Sequence, residues 1–460
     1  MNYRKLGVLT VLTGASISAF GQTPPVQPHV QEVPTPPAVT IAGPPSIITD
    51  VSKPISAAEA AAIALKYQQS LTISFANALT AAGRAEEARS NLNPSLSVSA
   101  GYSRSQTFNT PSGGGGSSSG GSSGGLGFTA GASVQQLIFD FNHTRALVKQ
   151  AALQQSAAET DYTRAQADLV LQVKQAYYNL VADTHLVTVS EANLTSRTGQ
   201  LDLARARLNA GVGQPADLVS AEANEGDAQQ ALVQARAAKL SSQIALAQLM
   251  GIDPRTPIDL ADSREPVAAE DDMNGLVSLG LKQRPEIREA RQNLDASGYG
   301  LSAARSLNAP ALTLNLDATG RGRTNPVDGS SGVASLALTW KLLDGGFQSG
   351  AIKIAKAGVQ SSNASLILAG QQVVSDVTQA HLALKSAEQR KVITAAQVVN
   401  ATEGVRIAQG RYQAGLGLFV DVTTAQALLV TAETNDVNAD ASLDQARASL
   451  AHAIGQPVKP

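Results

Sequence analysis

Arg207-Leu208-Asn209-Ala210-Gly211-Val212-Gly213 returns 204 residues later as Arg411-Tyr412-Gln413-Ala414-Gly415-Leu416-Gly417. The same offset pairs Asp140 with Asp344, Val173-Lys174-Gln175-Ala176 with Val377-Thr378-Gln379-Ala380, Leu180 with Leu384, Asp217 with Asp421 and Gly251 with Gly455. Upstream the offset becomes 216, pairing Leu65-Lys66 with Leu281-Lys282, Ala88-Arg89 with Ala304-Arg305 and Pro94 with Pro310. The 12-residue difference lies between Pro94 and Asp140, where the first copy carries an unbroken Ser/Gly stretch, 112–125. The chain is one supersecondary unit used twice, with a period too long for a solenoid.

Proline placement marks the elements of each copy. None falls between Pro111 and Pro215, or between Pro326 and Pro457, and glycine is absent from 132 to 198. Across that space Val173, Leu180, Val187, Leu194, Leu201 and Leu208 recur every seven residues; the second copy gives Val377, Leu384, Lys391, Val398, Val405 and Tyr412. This is a coiled-coil period. It predicts long helices over 143–209 and 347–413, each a rod of roughly 100 Å. Gly-containing turns follow, then return helices over 216–250 and 420–454. A further helix opens each copy, at about 55–91 and 286–307, and 252–285 reads as a connection between the repeats.

Short segments between the helices alternate. Ser95-Leu96-Ser97-Val98-Ser99-Ala100-Gly101-Tyr102 and Leu312-Thr313-Leu314-Asn315-Leu316-Asp317-Ala318 each have one apolar and one polar face, as do 127–139 and 332–343. Hairpins over 94–139 and 310–343 follow. This pattern fits transmembrane β-strands, and equally two hairpins on a soluble sheet. The helices favour the first reading, because they are polar on most faces and offer no core for the sheet. Four strands cannot close into a barrel, and lipid does not tolerate an open edge. Three chains would supply twelve strands.

Composition agrees. There are 35 Lys+Arg against 37 Asp+Glu, so no basic surplus points to a nucleic-acid partner. No cysteine is present, which excludes disulfides, thiolate metal sites, thiol nucleophiles and a lipid-modified Cys. Aromatics are scarce, with 8 Phe, 8 Tyr and 1 Trp, which suits long packed helices better than a thick core. Arg4 and Lys5, the apolar stretch 6–20 and the small residues at Ala19 and Gly21 read as an export signal over 1–21. Residues 22–54 form a Pro-rich linker. The five His (29, 143, 185, 381, 452) show no paired spacing, and most read as solvated helix residues; the Ser/Gly stretch lacks the Lys-Ser/Thr of a P-loop. No catalytic constellation, metal site or cofactor site is legible.

The order helix, hairpin, long helix–turn–helix, used twice, resembles the TolC family of outer-membrane efflux channels. The motifs that carry the resemblance are Leu343-Asp344-Gly345-Gly346 after the last strand, echoed by Ile138-Phe139-Asp140. Arg411-Tyr412-x-x-Gly415 before Val420-Asp421-Val422 is a third, and Met250-Gly251 or Ile454-Gly455 end the return helices. The resemblance covers about 55–456. It implies a mixed α/β membrane protein, a homotrimer with a twelve-stranded β-barrel in the outer-membrane bilayer and a long periplasmic barrel of coiled-coil α-helices. It also implies an exit duct serving a periplasmic adaptor and an inner-membrane pump of RND, MFS or ABC type. The lack of cysteine matches non-lipidated members.

By position the resemblance assigns the periplasmic gate to Tyr412, Asp217 and Asp421. A second family Asp is Thr424 here, and a tip Arg is replaced by Gly417, so one acidic ring and one link are missing. Asp217 and Asp421 also read as helix N-caps. The tips Gly211, Val212, Gly213, Gly415, Leu416, Gly417 and Leu418 match the family's adaptor contact, with Leu418 and Phe419 expected to be exposed. Phe139, Phe141, Trp340 and Phe347 gather at the strand–helix junctions as an interfacial belt would. A secreted coiled-coil adhesion or structural protein is the alternative reading of the chain.

Overall fold

The computed structural model describes residues 54–105, 125–261, 264, 272–322 and 329–456. The expected export signal, the linker up to residue 53 and the Ser/Gly stretch 112–124 lie outside the described residues. The first copy runs α1 (Ala57–Tyr67), α2 (Gln69–Ser90), β1 (Ser95–Ser105), β2 (Gly125–Phe139), α3 (His143–Asn209) and α4 (Pro215–Met250). The second runs α5 (Met273–Gln283), α6 (Pro285–Arg305), β3 (Ala311–Gly322), β4 (Gly329–Thr339), α7 (Phe347–Gln413) and α8 (Phe419–Ala453). α7 is α3 displaced by 204 residues at both ends, and α5 and α6 begin 216 residues after α1 and α2.

The short helices differ from the sequence reading. The first, expected over 55–91, is broken in two, whereas the second, expected over 286–307, is the single helix α6, and α5 precedes it within the expected connection 252–285. Pro285 disfavours helical backbone at Arg284, which sits at ψ 134°, and then starts α6 at its first turn. In the first copy Gln68 takes the same extended conformation without a proline. Its side-chain amide donates to the Gln248 and Leu249 carbonyls, at 3.2 and 3.3 Å, pinning the break to the end of α4. Ser56 starts α1 with a reciprocal cap to Glu59, and Asp272 starts α5 by accepting from the Asn274 and Gly275 amides.

The heptad residues face inward. Val173, Leu180 and Leu201 of α3 and Val377, Leu384, Val405 and Tyr412 of α7 are buried. Burying a large aliphatic side chain contributes about 2 kcal/mol. Lys391 breaks the apolar register of α7, and its ammonium meets Asp436 at 3.0 Å and Asp440 at 2.7 Å on α8. Three apolar clusters hold the helices: one around α1, α3 and α4 with Tyr177, Tyr178 and Met250, one around α5, α7 and α8, and a third at the turns. Buried alanines dominate the contacts, which lets the helices approach closely.

The four strands form one antiparallel sheet in the order β1-β2-β3-β4. Register places Leu96, Val134, Leu316 and Ala334 in one row, with Val98, Ala132, Ala318 and Gly332 in another on the same face. The opposite face carries Ser95, Gln135, Asn315 and Ser335, then Ser97, Ser133, Asp317 and Val333. A bulge between Leu137 and Phe139 turns Phe139 onto the apolar face, opposite Leu312. No described strand residue is buried; Val98 is 78% exposed and Leu338 68%. The apolar face is therefore uncovered, and both edges, β1 and β4, are unpaired among the described residues. Among the described residues no helix is long and apolar enough to cross a membrane.

Candidate functional site

The two long hairpins turn through the same motif. α3 ends with Gly211 at φ +74°, its amide donating to the Leu208 carbonyl while Val212 N–H reaches Arg207 O. α7 ends with Gly415 at φ +77°, with the equivalent bonds to Tyr412 and Arg411. This double bond with a left-handed glycine satisfies the last carbonyls of each helix. Gly213 is required for a second reason. A Cβ there would lie 2.6 Å from the Leu208 nitrogen.

Below the turns, Leu201, Ala204, Ala221, Tyr412, Phe419 and Val422 make a small buried cluster. The Tyr412 hydroxyl donates to Asp217 Oδ2 at 3.2 Å. Arg207 of the first copy lies over the Tyr412 ring, 4.7 Å from its centroid, and donates to the Tyr412 carbonyl at 3.0 Å and the Gln413 carbonyl at 3.4 Å. The cation thus stacks on the ring and meets the negative end of α7. Burial, then the negative charge and hydrogen bond of Asp217, push the Tyr412 phenol above its ordinary range, with Arg207 opposing. The hydroxyl therefore stays protonated and able to donate.

The two aspartates do different work. Both stand at the third position of their helices, with Gln214 and Leu418 as the N-caps, so neither is itself a cap residue. Asp217 reaches across to Tyr412. Asp421 is exposed and accepts from the Leu418 amide at 3.2 Å. Thr424 is exposed on the same helix. The turns present Val212, Leu416, Leu418 and Val420 to solvent. Phe419 is not among them. It is 5% exposed and packs on Tyr412 with ring centroids 5.5 Å apart, inside the small apolar cluster of the turns.

Further along, α3 and α8 are joined by side chains that the sequence did not single out. Arg197 is 7% exposed, bonding Gln200 at 3.2 Å and the Thr423 carbonyl at 3.4 Å. Ser196 donates to Gln426 at 3.0 Å, and His452 meets Asp168 at 2.8 Å. His143 contacts the Ala303 carbonyl at 2.8 Å, so it and His452 are partnered rather than solvated. Only side-chain geometry reveals these links; Arg207 alone carried a signal, as part of the repeated motif.

At the other end of the rods, Phe139, Phe141, Trp340 and Phe347 are all exposed, and Phe139 and Phe141 stack edge-on at 4.8 Å. Phe141 and Asn142 hold φ of 53° and 68°, where the second copy has Gly345 and Gly346. Asp140 accepts from the Thr144 amide at 2.7 Å. Asp344 accepts from Gly346 and Gln348, so the repeated aspartates fasten strand to rod. Among the described residues no group of three or more His, Asp or Glu is placed to hold a metal ion.

A duplicated chain with an amphipathic open-edged sheet at one end of long helical hairpins defines a subunit of an outer-membrane channel. The chain belongs to the outer membrane efflux protein family, which it matches over residues 52–252 and 276–456. It is 28% identical over 327 residues to protein CyaE of Bordetella pertussis, covering 69% of each chain. To the outer membrane efflux protein BepC of Brucella suis it is 25% identical over 340 residues, 71% of this chain and 72% of that one. Its fold matches the outer membrane protein VceC of Vibrio cholerae with a TM-score of 0.75, at 21% identity, over 88% of this chain and 97% of the other. The protein is an outer-membrane efflux duct of a Gram-negative cell, with its helical rods extending into the periplasm. The reading as a secreted adhesion protein is set aside by this membership.

Proposed function

We propose that three copies of the chain close into a passive channel. The β1 edge of one copy pairs with the β4 edge of the next, giving twelve strands with the apolar rows toward lipid and the Ser/Thr/Asn rows toward the lumen. The observation that carries this reading is the pair of open edges on a sheet whose apolar face nothing covers. An even number of antiparallel strands per copy lets the ring close without a parallel junction. The rods continue the barrel into the periplasm, where the exposed turns 211–213 and 415–418 meet a periplasmic adaptor coupled to an inner-membrane pump. That pump supplies the energy, and the duct itself performs no chemistry.

Tyr412 and Asp217, with Arg207, act as a closed-state restraint at the periplasmic end. Asp421 lines the constriction there as a ring of three carboxylates, which raises local cation concentration. Thr424 leaves the second ring uncharged. Phe139, Phe141, Trp340 and Phe347 stand at the periplasmic headgroup level. The test is membrane fractionation with native mass measurement. A detergent-solubilised trimer from outer membranes, forming conducting pores in planar bilayers, supports the reading. A soluble monomer would sink it.

A further inference from the structure

The repeat makes each contact between the two halves of a chain a template for a contact between chains. Within one chain, α3 of the first half packs on α8 of the second. Adding 204 to the first partner and subtracting it from the second moves each contact to the junction where the second half meets the first half of another copy. Ser196 and Gln426 become Asn400 and Glu222, another pair able to hydrogen-bond. The faces involved are exposed: Ile407 of α7, the counterpart of Leu203, is 48% exposed, and Val219 of α4, the counterpart of Thr423, is 66% exposed.

The gate maps in the same way. Tyr412 becomes Leu208 and Asp217 becomes Asp421, so the hydroxyl–carboxylate bond has no counterpart between copies. Consistently, Asp421 spends its carboxylate on its own helix start. Arg207, by contrast, becomes Arg411, an arginine again. Its targets, the Tyr412 and Gln413 carbonyls, become those of Leu208 and Asn209 at the end of α3. Arg411 is exposed and makes no hydrogen bond or ion pair with any described residue. The end of α3 carries the negative pole of a 67-residue helix.

We propose that Arg411 latches one copy to the next, its guanidinium donating to the Leu208 and Asn209 carbonyls of the neighbouring copy. The gate then has two unlike joints. The one inside a chain holds by Tyr412, Asp217 and Arg207 together. The one between chains holds by Arg411 alone, so opening starts between copies. This inference rests on the channel reading above.

The absence of native cysteine makes the test clean. Arg411→Cys with Asn209→Cys probes the latch, and Asn400→Cys with Glu222→Cys probes the seam. Outer membranes are treated with a short bismaleimide and resolved on denaturing gels, beside native mass of the untreated protein. Covalent dimers and trimers from both pairs, and from none of the four single variants, are expected. A trimer in which the latch pair stays unlinked overturns the proposal, whether or not the seam pair links. A monomer overturns the channel reading and the latch with it. As a second measurement, Arg411→Ala should raise resting single-channel conductance while Arg411→Lys stays near wild type; equal conductance in all three overturns the latch.

Discussion

The Tyr412 hydroxyl donates to the Asp217 carboxylate at 3.2 Å, tying the last turn of α7 to the first turn of α4 across 195 residues of chain. This bond joins the two repeats at the turn end of the rods; on the proposed gate reading, loosening it widens the periplasmic entrance. A hydrogen bond to a charged group is worth about 1.5–3 kcal/mol, enough to shift a closed-to-open ratio by more than tenfold. Tyr412→Phe removes the donor and Asp217→Ala the acceptor. Either is expected to raise single-channel conductance in planar bilayers, and the double variant to add little, since both delete one bond. Additive increases would show that the two residues act separately.

Arg207 touches the same tyrosine by its ring and its carbonyl. Arg207→Ala should therefore raise conductance even with Tyr412→Phe in place, because the carbonyl contacts survive that change. Arg207→Lys should restore part of the closure through charge at the helix end. Bilayer recordings of the four variants distinguish this from a purely structural arginine.

The acidic ring is tested by charge. Asp421→Asn should lower cation preference, read as a shift of reversal potential in a salt gradient. Thr424→Asp, one turn further along an exposed face, should increase it. Equal reversal potentials in all three channels would remove Asp421 from the lumen.

Asp168 gives a pH dependence. Its hydrogen bond from His452 holds its carboxyl below the ordinary 3.8; burial opposes this, while the charges of His452, Arg164 and Arg284 reinforce it. A depressed carboxyl contributes stability that is present above the ordinary value and is lost as pH falls through the depressed one. Thermal unfolding of the wild type should therefore weaken below about pH 4, and Asp168→Asn should flatten that part of the profile while lowering stability at neutral pH. An unchanged profile would show that the α3–α8 junction does not depend on this pair.

The turn glycines differ in kind. Gly211→Ala places a side chain at φ +74°, costing about 1–2 kcal/mol. Gly213→Ala drives a Cβ to 2.6 Å from backbone and cannot be relieved by a rotamer. Limited proteolysis at the tip should find Gly213→Ala the more readily cut.

The repeated turn, the proline-free stretches and the seven-residue period were enough to read the paired rods, the return helices and the amphipathic strands. These features are local: a heptad, an alternation and a left-handed glycine are each set by neighbours in sequence. The division of α1 from α2 was not legible, since Gln68 has no breaker and is held by the far end of α4. Nor was the burial of Phe419, which depends on a ring from α7. The bulge that turns Phe139 to the apolar face depends on pairing with β3, more than 170 residues away.

By itself, then, the sequence determined that one unit is used twice, that its strands have a lipid-compatible face and that its tips carry Tyr412, Asp217 and Asp421. The tertiary structure decided how these residues are used. Identical positions in the two copies meet different neighbours, because the first half of a chain is covered by the second while the second half is left open. So Asp217 bonds a tyrosine where Asp421 accepts from the amide at the start of its own helix, and Arg207 has found its helix end where Arg411 still faces solvent.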